Sequence, residues 1–379
     1  MRVAFEPSAR STLGVEVEMA IIDARTGGLA SRAPEVLAAL ASPDGSSHPK
    51  VKQELFACTI EVITGICGSV GEARADLEAT LAEVRSVIEP RGLDVLASGM
   101  HPFSHWAEQS HTVDPRYAEL LDRLQWPAHR LLSHGVHYHV GVRSPGKAID
   151  ITNAVTGQLP LFLALSASSP FWHARDTGLV SVRSKLMESL PRTGPPPYLA
   201  DWAEFESLMG ALVTAGAIST VREVWWDMRP HPDFGTVELR MCDTMPTLRE
   251  VCALAAMAQS LVEHCDRRLD RGESLATLPD WVLRENKWRA VRYGMEARFI
   301  VDASGGTRPC VELIQDLVGE LGPVSEDLGC ARELADVLRI LDTGSSADRQ
   351  RRVLAETGSV RAVVDALRTE QATDTVTAR

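Results

Sequence analysis

The chain predicts an α+β fold, with mainly antiparallel strands backed by helices and a helical final third. Three observations carry this. Four short runs alternate with period two, and each sets two polar side chains two positions apart in apolar surroundings. They are Gly14-Val15-Glu16-Val17-Glu18-Met19, Thr59-Ile60-Glu61-Val62-Ile63-Thr64, Val136-His137-Tyr138-His139-Val140 and Thr236-Val237-Glu238-Leu239-Arg240-Met241. Segments of helical spacing separate these runs, and from Thr247 onward helical periodicity dominates. Strands interrupted by helices, then helices alone, is the pattern of α+β layering.

In chain order, residues 12–23 read as a strand with its turn at Asp23-Ala24-Arg25-Thr26-Gly27-Gly28. Residues 33–40 read as a helix, 42–50 as a polar loop, and 54–64 contain the second strand. Ser69-Val70-Gly71-Glu72 has the form of a capping box, opening a helix to Ile88 with Leu77, Leu81, Val84 and Ile88 on one face. A strand over 93–98, a helix over 117–132, a strand over 136–142 and an apolar helix over 150–169 follow. Residues 189–198 form a proline-rich irregular loop, and loops of this length in compact domains are often functional. Beyond it come a helix over 202–215, strand-like segments over 219–227 and 235–242, and helices over 248–268, 280–293, 310–321, 327–341, 347–356 and 360–367. The expectation is one catalytic domain over 1–368, helical from about 247, with 369–379 a polar, unstructured tail.

The 379 residues, 45% hydrophobic and 24% charged, are an ordinary globular balance. A net charge of −12 argues against nucleic acid or an anionic membrane as the main partner. Seven scattered cysteines without a CxxC favour free thiols in a reducing compartment over a disulfide framework or zinc ribbon. The N-terminal residues lack a signal-peptide core, and no run reaches the eighteen or so apolar residues of a membrane span. A cytoplasmic protein is the default, and a homodimer the commonest assembly.

Because a strand sends alternate side chains to opposite faces, each of the four runs has an apolar face and a polar one. Two glutamates on one strand face repel unless water or a cation separates them. Glu54 and Glu61 are an odd seven residues apart, so they share a site only if the chain bends near 56–58. His137 and His139 suggest a metal site or a phosphate contact for one, with the other structural. An H-x-H strand also occurs in zinc hydrolases, for which His173, His231 and Asp243 are the available partners. Gly141-Val142-Arg143-Ser144-Pro145-Gly146-Lys147 mimics a P-loop, but Ala148 lacks the magnesium-binding hydroxyl and Pro145 removes a phosphate-binding N–H. Arg229, Glu238 and Arg240 lie within a dozen residues around a turn at 233–235, and arginine forks suit carboxylates and phosphates. Arg175 and Arg183 are further candidate anion contacts, and Arg289 and Arg292 share a helical face that could reach a nucleotide.

Five candidate carboxylates (Glu16, Glu18, Glu54, Glu61, Glu238) with one histidine and no thiolate favour Mg²⁺ or Mn²⁺ over zinc. Several hard cations beside several arginines suit phosphoryl transfer from ATP. Without a P-loop or kinase signature, ATP-dependent carboxylate activation comes forward. A nucleotide-independent metal hydrolase using His137 and His139, or a non-enzymatic acidic binding protein, are the alternatives.

Here the chain resembles the type 2 glutamate–cysteine ligases, or carboxylate–amine ligases, of the glutamine-synthetase-like superfamily. The matching segments are Gly14 to Glu18, Glu54 through Glu61 to Cys67, Gly99-Met100-His101-Pro102, Arg116-Tyr117, His137 to Gly141, residues 176–179, residues 225–243 and residues 285–294, in order. The resemblance implies a curved, mostly antiparallel sheet forming a funnel, with ATP and metals on its polar face. It implies that Glu16, Glu18, Glu54, Glu61, His139 and Glu238 hold Mg²⁺ or the Mg–ATP phosphates, and that Arg240 stabilises the transferring phosphoryl group. Arg240, Glu61 and Arg229 are then the candidate catalytic groups, and Arg240, Arg289, Arg292 and His137 the candidate nucleotide contacts. The implied reaction phosphorylates the γ-carboxylate of glutamate from ATP, after which an amine, cysteine or another, displaces phosphate.

Overall fold

The computed structural model describes residues 2–377, with side-chain surroundings for residues 2–374. Its centre is a seven-stranded sheet of β1 (Leu13–Asp23), β2 (Val51–Gln53), β3 (Thr59–Ile63), β4 (Leu93–Leu96), β5 (Gly135–Gly141), β6 (Met228–His231) and β7 (Thr236–Asp243). Spatial order is β6-β7-β5-β1-β3-β2, every pair antiparallel, with β4 pairing to the end of β1 from Ala20 to Asp23. The helices are α1 (Ala33–Leu40), α2 (Val70–Ile88), α3 (Pro115–Leu124), α4 (Trp126–His129), α5 (Pro145–Val155), α6 (Leu159–Ser166), α7 (Val182–Met187), α8 (Trp202–Thr214), α9 (Leu248–Asp270), α10 (Asp280–Tyr293), α11 (Cys310–Asp327), α12 (Ala331–Thr343), α13 (Ser346–Thr357) and α14 (Val360–Thr377).

The period-two pattern sorts the sheet's faces as sequence requires. Leu13, Val15, Val17, Met19 and Ile21 of β1 join Ile60, Val62, Val136, Tyr138, Val140, Val237 and Leu239 in one buried cluster with α2, α6 and α9. The Tyr138 hydroxyl donates to the Val251 carbonyl at 3.1 Å, so a buried polar tip is satisfied by the helix it packs on. On the opposite face the two halves of the sheet differ. Ala20, Ile22 and Leu96 are covered by Val363, Val364 and Leu367 of α14, whereas the Glu16–Glu18 end is left open.

Helix starts follow their caps. Ser69 accepts from the Glu72 N–H, as the capping motif predicts, though the Glu72 carboxylate reaches the Gly68 N–H rather than that of Ser69. The P-loop mimic is a helix start: Ser144 accepts from the Lys147 N–H, Pro145 is the first helical residue, and Lys147 pairs with Asp266 and Asp270. The apolar helix therefore begins at 145, not 150, and breaks into α5 and α6 before Pro160. Likewise the helix expected over 117–132 begins at Pro115 behind an Asp114 cap and is interrupted at Gln125 (φ 54°), two residues before Pro127. Residues 219–227 are mostly irregular; the strand beside β7 is Met228–His231, where proline had obscured it. The hairpin Arg298–Ile300 with Thr307–Pro309 and the strand Val51–Gln53 are too short to show a period.

The tail expected from 369 is instead the last turns of α14 as far as Thr377, and residues 378–379 lie outside the described residues. Polar anchors explain it. Glu370 pairs with Arg349, Gln371 accepts from the Ala97 N–H at 3.3 Å, and Asp374 accepts from the Arg249 N–H at 3.0 Å. All seven cysteines are free and buried. The stretch Pro145–Ser166 is apolar and long enough to cross a bilayer by composition, but 72% of its apolar window is buried inside the fold.

Candidate functional site

The open half of the polar face is assembled by register. Antiparallel pairing sets Glu16 opposite His137, Glu238 opposite His139, Arg229 opposite Glu238 and Glu18 opposite Glu61. Four runs far apart in sequence thus contribute to one surface. Alternation along β7 keeps Leu239 and Met241 in the core and turns Arg240 to the polar face beside Glu238, and the register against β5 shifts between Leu239 and Cys242. The Arg240 N–H donates to the Asp227 carbonyl at 2.8 Å instead of to β5.

Two triads lie on this surface, the ligand atoms of each within 4.8 Å of one another: Glu16, His137 and Glu238 in one, Glu18, Glu54 and Glu61 in the other. Glu54 enters as the odd interval demanded. After β2 the chain turns through residues 54–58, Phe56 bridging to His111, and brings the carboxylate back to the face of Glu61.

The first triad is charge-compensated. His137 Nδ1 lies 3.0 Å from Glu16, and His139 Nε2 lies 3.3 Å from Glu16 and 3.7 Å from Glu238. Glu238 is fully buried, accepts from Arg229 Nε at 2.7 Å and is bonded by Arg240. Burial opposes its ionisation, but Arg240 and Arg229 overcome this and hold it well below the usual carboxylate range. Burial likewise works against Glu16, and the facing imidazoles of His137 and His139 hold it far down. His137 is lowered by burial and by Arg240, while Glu238 and Glu16 outweigh burial at His139 and raise it.

The second triad is the reverse. Burial and the neighbouring Glu18 push Glu54 up to about 8, and burial with Glu54 and Glu16 drives Glu61 well above its ordinary value. Three carboxyls this close cannot all ionise without a cation between them. The buried His139 Nε2, aimed at two carboxylates, has no hydrogen-bond partner. A set of carboxylate oxygens with one or two imidazoles, no thiolate and an unsatisfied donor atom fits hard divalent cations.

A cavity of about 1050 Å³ opens over both triads. Arg116, Tyr117, Arg183, Arg222, Trp225, His231 and Phe234 line it along with Glu16, Glu18, Glu54, Glu61, His137, His139, Arg229, Glu238 and Arg240. Arg289 and Arg292 do not belong to this wall, which corrects their expected role as nucleotide contacts. Arg289 is engaged by Glu285 and the Arg298 carbonyl, and Arg292 by the Gly178 carbonyl. Their neighbour Lys287 faces inward, pairing with Asp227 at 2.7 Å and Glu188 at 3.1 Å; nothing in its sequence context distinguished it from a solvated lysine. Of the other arginine pair, Arg183 lines the cavity and Arg175 is exposed elsewhere. Of the partners expected for a zinc hydrolase, His231 lines the cavity and stacks on Phe234 at 4.1 Å, whereas His173 stacks on His105 at 3.8 Å and Asp243 is buried among Ser168, Ser169 and Ser181, so the full set is not assembled. Only the family resemblance points to Arg116 and Tyr117; a helix start two residues after a cap carries no polar pattern of its own.

Comparison with known proteins agrees with this geometry. Among solved structures, glutamate–cysteine ligase from Francisella tularensis in complex with AMP aligns over 99% of this chain and 95% of its own, with a TM-score of 0.69 at 12% identity. A bifunctional glutathione synthetase from Pasteurella multocida aligns over 97% of this chain and 53% of its own, with a TM-score of 0.71 at 14% identity. At these identities the likeness is one of fold. Sequence relatives are nearer: a protein of Frankia alni provisionally named glutamate–cysteine ligase 2-1 is 51% identical over 375 residues, 98% of each chain. A protein of Thermobifida fusca provisionally named glutamate–cysteine ligase 2 is 47% identical over 368 residues, covering 97% of this chain and 92% of its own. The model of glutamate–cysteine ligase family 2 matches residues 12–366, the span that carries every strand of the polar face, and to that family this chain belongs.

Proposed function

We propose that the protein phosphorylates the γ-carboxylate of glutamate from ATP and joins it to an amine, cysteine or another, releasing ADP and phosphate. As a family member the chain is an ATP-dependent ligase forming a C–N bond. The observation that carries the finer reading is the meeting of two acidic triads and Arg240 on one sheet face beneath a cavity large enough for a nucleotide and an amino acid.

Glu16, His137, His139 and Glu238 would hold one Mg²⁺ or Mn²⁺, and Glu18, Glu54 and Glu61 another. Divalent cations held there would screen the repulsion between triphosphate oxygens and a carboxylate nucleophile. Arg240, its guanidinium fixed by Glu238 and its backbone by Asp227, faces the transferring phosphoryl group without reorganising as charge develops. Arg229 spends its donors on Glu238 and on the carbonyls of Val221, Arg222 and Val224, so it orients Glu238 and is a positioning residue.

The acyl phosphate must meet the amine before water does. The loop over 189–198 is the lid in this reading: Leu190 lines the cavity, and Thr193–Gly194 pairs with Trp225–Trp226 at its wall. One hydrophobic cluster that runs from Leu13 to Ile340 supports treating the chain as one catalytic domain.

The deciding experiment incubates purified protein with Mg²⁺, ATP and a panel of amino acids and amines and follows ADP. Glutamate-dependent, amine-stimulated ADP release supports the reading. AMP with pyrophosphate instead means adenylation, and absence of nucleotide turnover with every amino acid sinks it. Limited proteolysis within 189–198 should slow when ATP and glutamate are present; unchanged cleavage removes the lid.

A further inference from the structure

Lys287 is a buried cation to which phosphoryl transfer assigns no part. It sits on α10 at 6% exposure, although Arg284 and Arg292 of the same helix are exposed. One carboxylate is enough to balance a buried ammonium, yet Lys287 has two, from separate segments. Its Nζ donates to Asp227 at 2.7 Å and lies 3.1 Å from Glu188. Glu188 also pairs with Lys185 of α7, so Lys185, Glu188, Lys287 and Asp227 alternate in charge along one chain of contacts. Burial works against the Glu188 carboxylate, and Lys287 and Lys185 hold it below its ordinary range.

The two carboxylates belong to the two ends of one link. Glu188 closes α7 and immediately precedes the loop over 189–198. Asp227 divides its backbone between that loop and Arg240. Its N–H donates to the Gly194 carbonyl at 2.8 Å, and its own carbonyl accepts from the Arg240 N–H at 2.8 Å. In an unbroken antiparallel ladder the Asp227 N–H would return to the Arg240 carbonyl. That carbonyl accepts instead from Arg183 at 3.3 Å. The loop thus takes the bond that would have closed the sheet on Arg240, and Lys287 fixes the side chain of the same Asp227.

We propose that Lys287 is a positioning residue that couples the 189–198 loop to Arg240 through Asp227. The inference rests on the ligase reading above and on that loop as its lid. Glu188, Lys287 and Asp227 carry a displacement at the root of the loop into the backbone that holds Arg240. The guanidinium then reaches its place when the loop shuts, and phosphoryl transfer is confined to a site from which water is already excluded.

Steady-state ADP release and hydrogen exchange test it. Glu188→Gln cuts the link at its more exposed end and leaves Lys287 balanced by Asp227, so this variant should melt as wild type does. Its kcat should fall about 10-fold, with the KM for ATP and for glutamate within about twofold. Lys287→Met, which strands a buried carboxylate, should lose at least as much, and Lys287→Arg less. The discriminating measurement is made in Arg240→Ala, where adding Glu188→Gln should cost less than about twofold, because the group it positions has gone. Equal losses in both backgrounds would make the link merely structural and overturn the proposal, as would a raised KM at unchanged kcat. Hydrogen exchange needs no turnover: Glu188→Gln should speed it in peptides covering 189–198 and 225–241 and leave α9 as it was. Unchanged exchange over 225–241 overturns the proposal whatever the rates show. If wild type releases no ADP with glutamate, the ligase reading fails by itself, and exchange alone decides the link.

Discussion

Burial holds the carboxyls of Glu54 and Glu61 above their ordinary range, and at Glu54 a bound cation must displace a proton at neutral pH. Both carboxyls are raised, Glu54 from 4.5 to about 8 by burial and Glu18. A carboxyl that binds its proton more tightly when folded stabilises the protein at low pH. For Glu54 that contribution is full below about pH 4.5 and is lost as pH climbs to about 8. The thermal stabilisation gained from Mg²⁺ or Mn²⁺ should therefore grow between pH 6 and 8.5, and the growth should shrink in Glu54→Gln. Equal gains at both pH values would remove Glu54 from the metal site. At the same scale, Glu61→Gln and Arg240→Ala should each lower kcat/KM by about 10²- to 10³-fold with little change in melting temperature. Full activity in either variant strikes that residue from the chemistry.

Among the elements, the strand-to-helix turn at 141–147 shows how a motif can be mimicked by capping physics. Ser144→Ala removes the acceptor for the Lys147 N–H and should cost about 1 kcal/mol of stability while leaving turnover intact. Lys147→Met should likewise keep its activity, because Lys147 is committed to Asp266 and Asp270 on α9. A collapse in kcat for Lys147→Met at unchanged fold would restore a phosphate role. The β6–β7 turn is stricter. Gly235 has φ 61° and a Cβ there would approach the Glu6 carbonyl oxygen at 1.7 Å, so Gly235→Ala should destabilise by about 2 kcal/mol or more. Because that turn sets the register of Arg229 against Glu238, activity should fall with it, read by parallel melting and ADP assays.

For the whole molecule, α14 decides which half of the sheet's polar side becomes a site. Its Val363, Val364 and Leu367 cover Ala20, Ile22 and Leu96, and its last turns are tied to Arg349, Ala97 and Arg249. A chain ending at Thr369 should melt a few degrees lower. An unchanged melting temperature would show that residues 370–377 contribute nothing to the fold. The expectation of a loose tail failed here because polar composition is silent about polar partners. A Glu, a Gln and an Asp read as solvated until the guanidinium and amide groups they meet are placed.

Alternation along four strands made the polar face legible from residues alone. Period two cannot put Glu16 and Glu18 on the same side as Val15 and Val17, whatever the sheet does next. The helical spacing of α1, α2 and α9 and the Ser69 cap of α2 were equally readable, being local. Three things were decided only by tertiary structure. Register brought His137 to Glu16 and Glu238 to His139, although nothing within either strand names its partner. The bend at 54–58 turned Glu54 back to the face of Glu61 against the simple alternation. Packing then sent Lys287 inward while its helix-mates Arg289 and Arg292 found partners outside the cavity. Sequence determines which side chains can share a face; the folded chain alone determines which faces meet, since pairing and burial energies belong to contacts between distant segments.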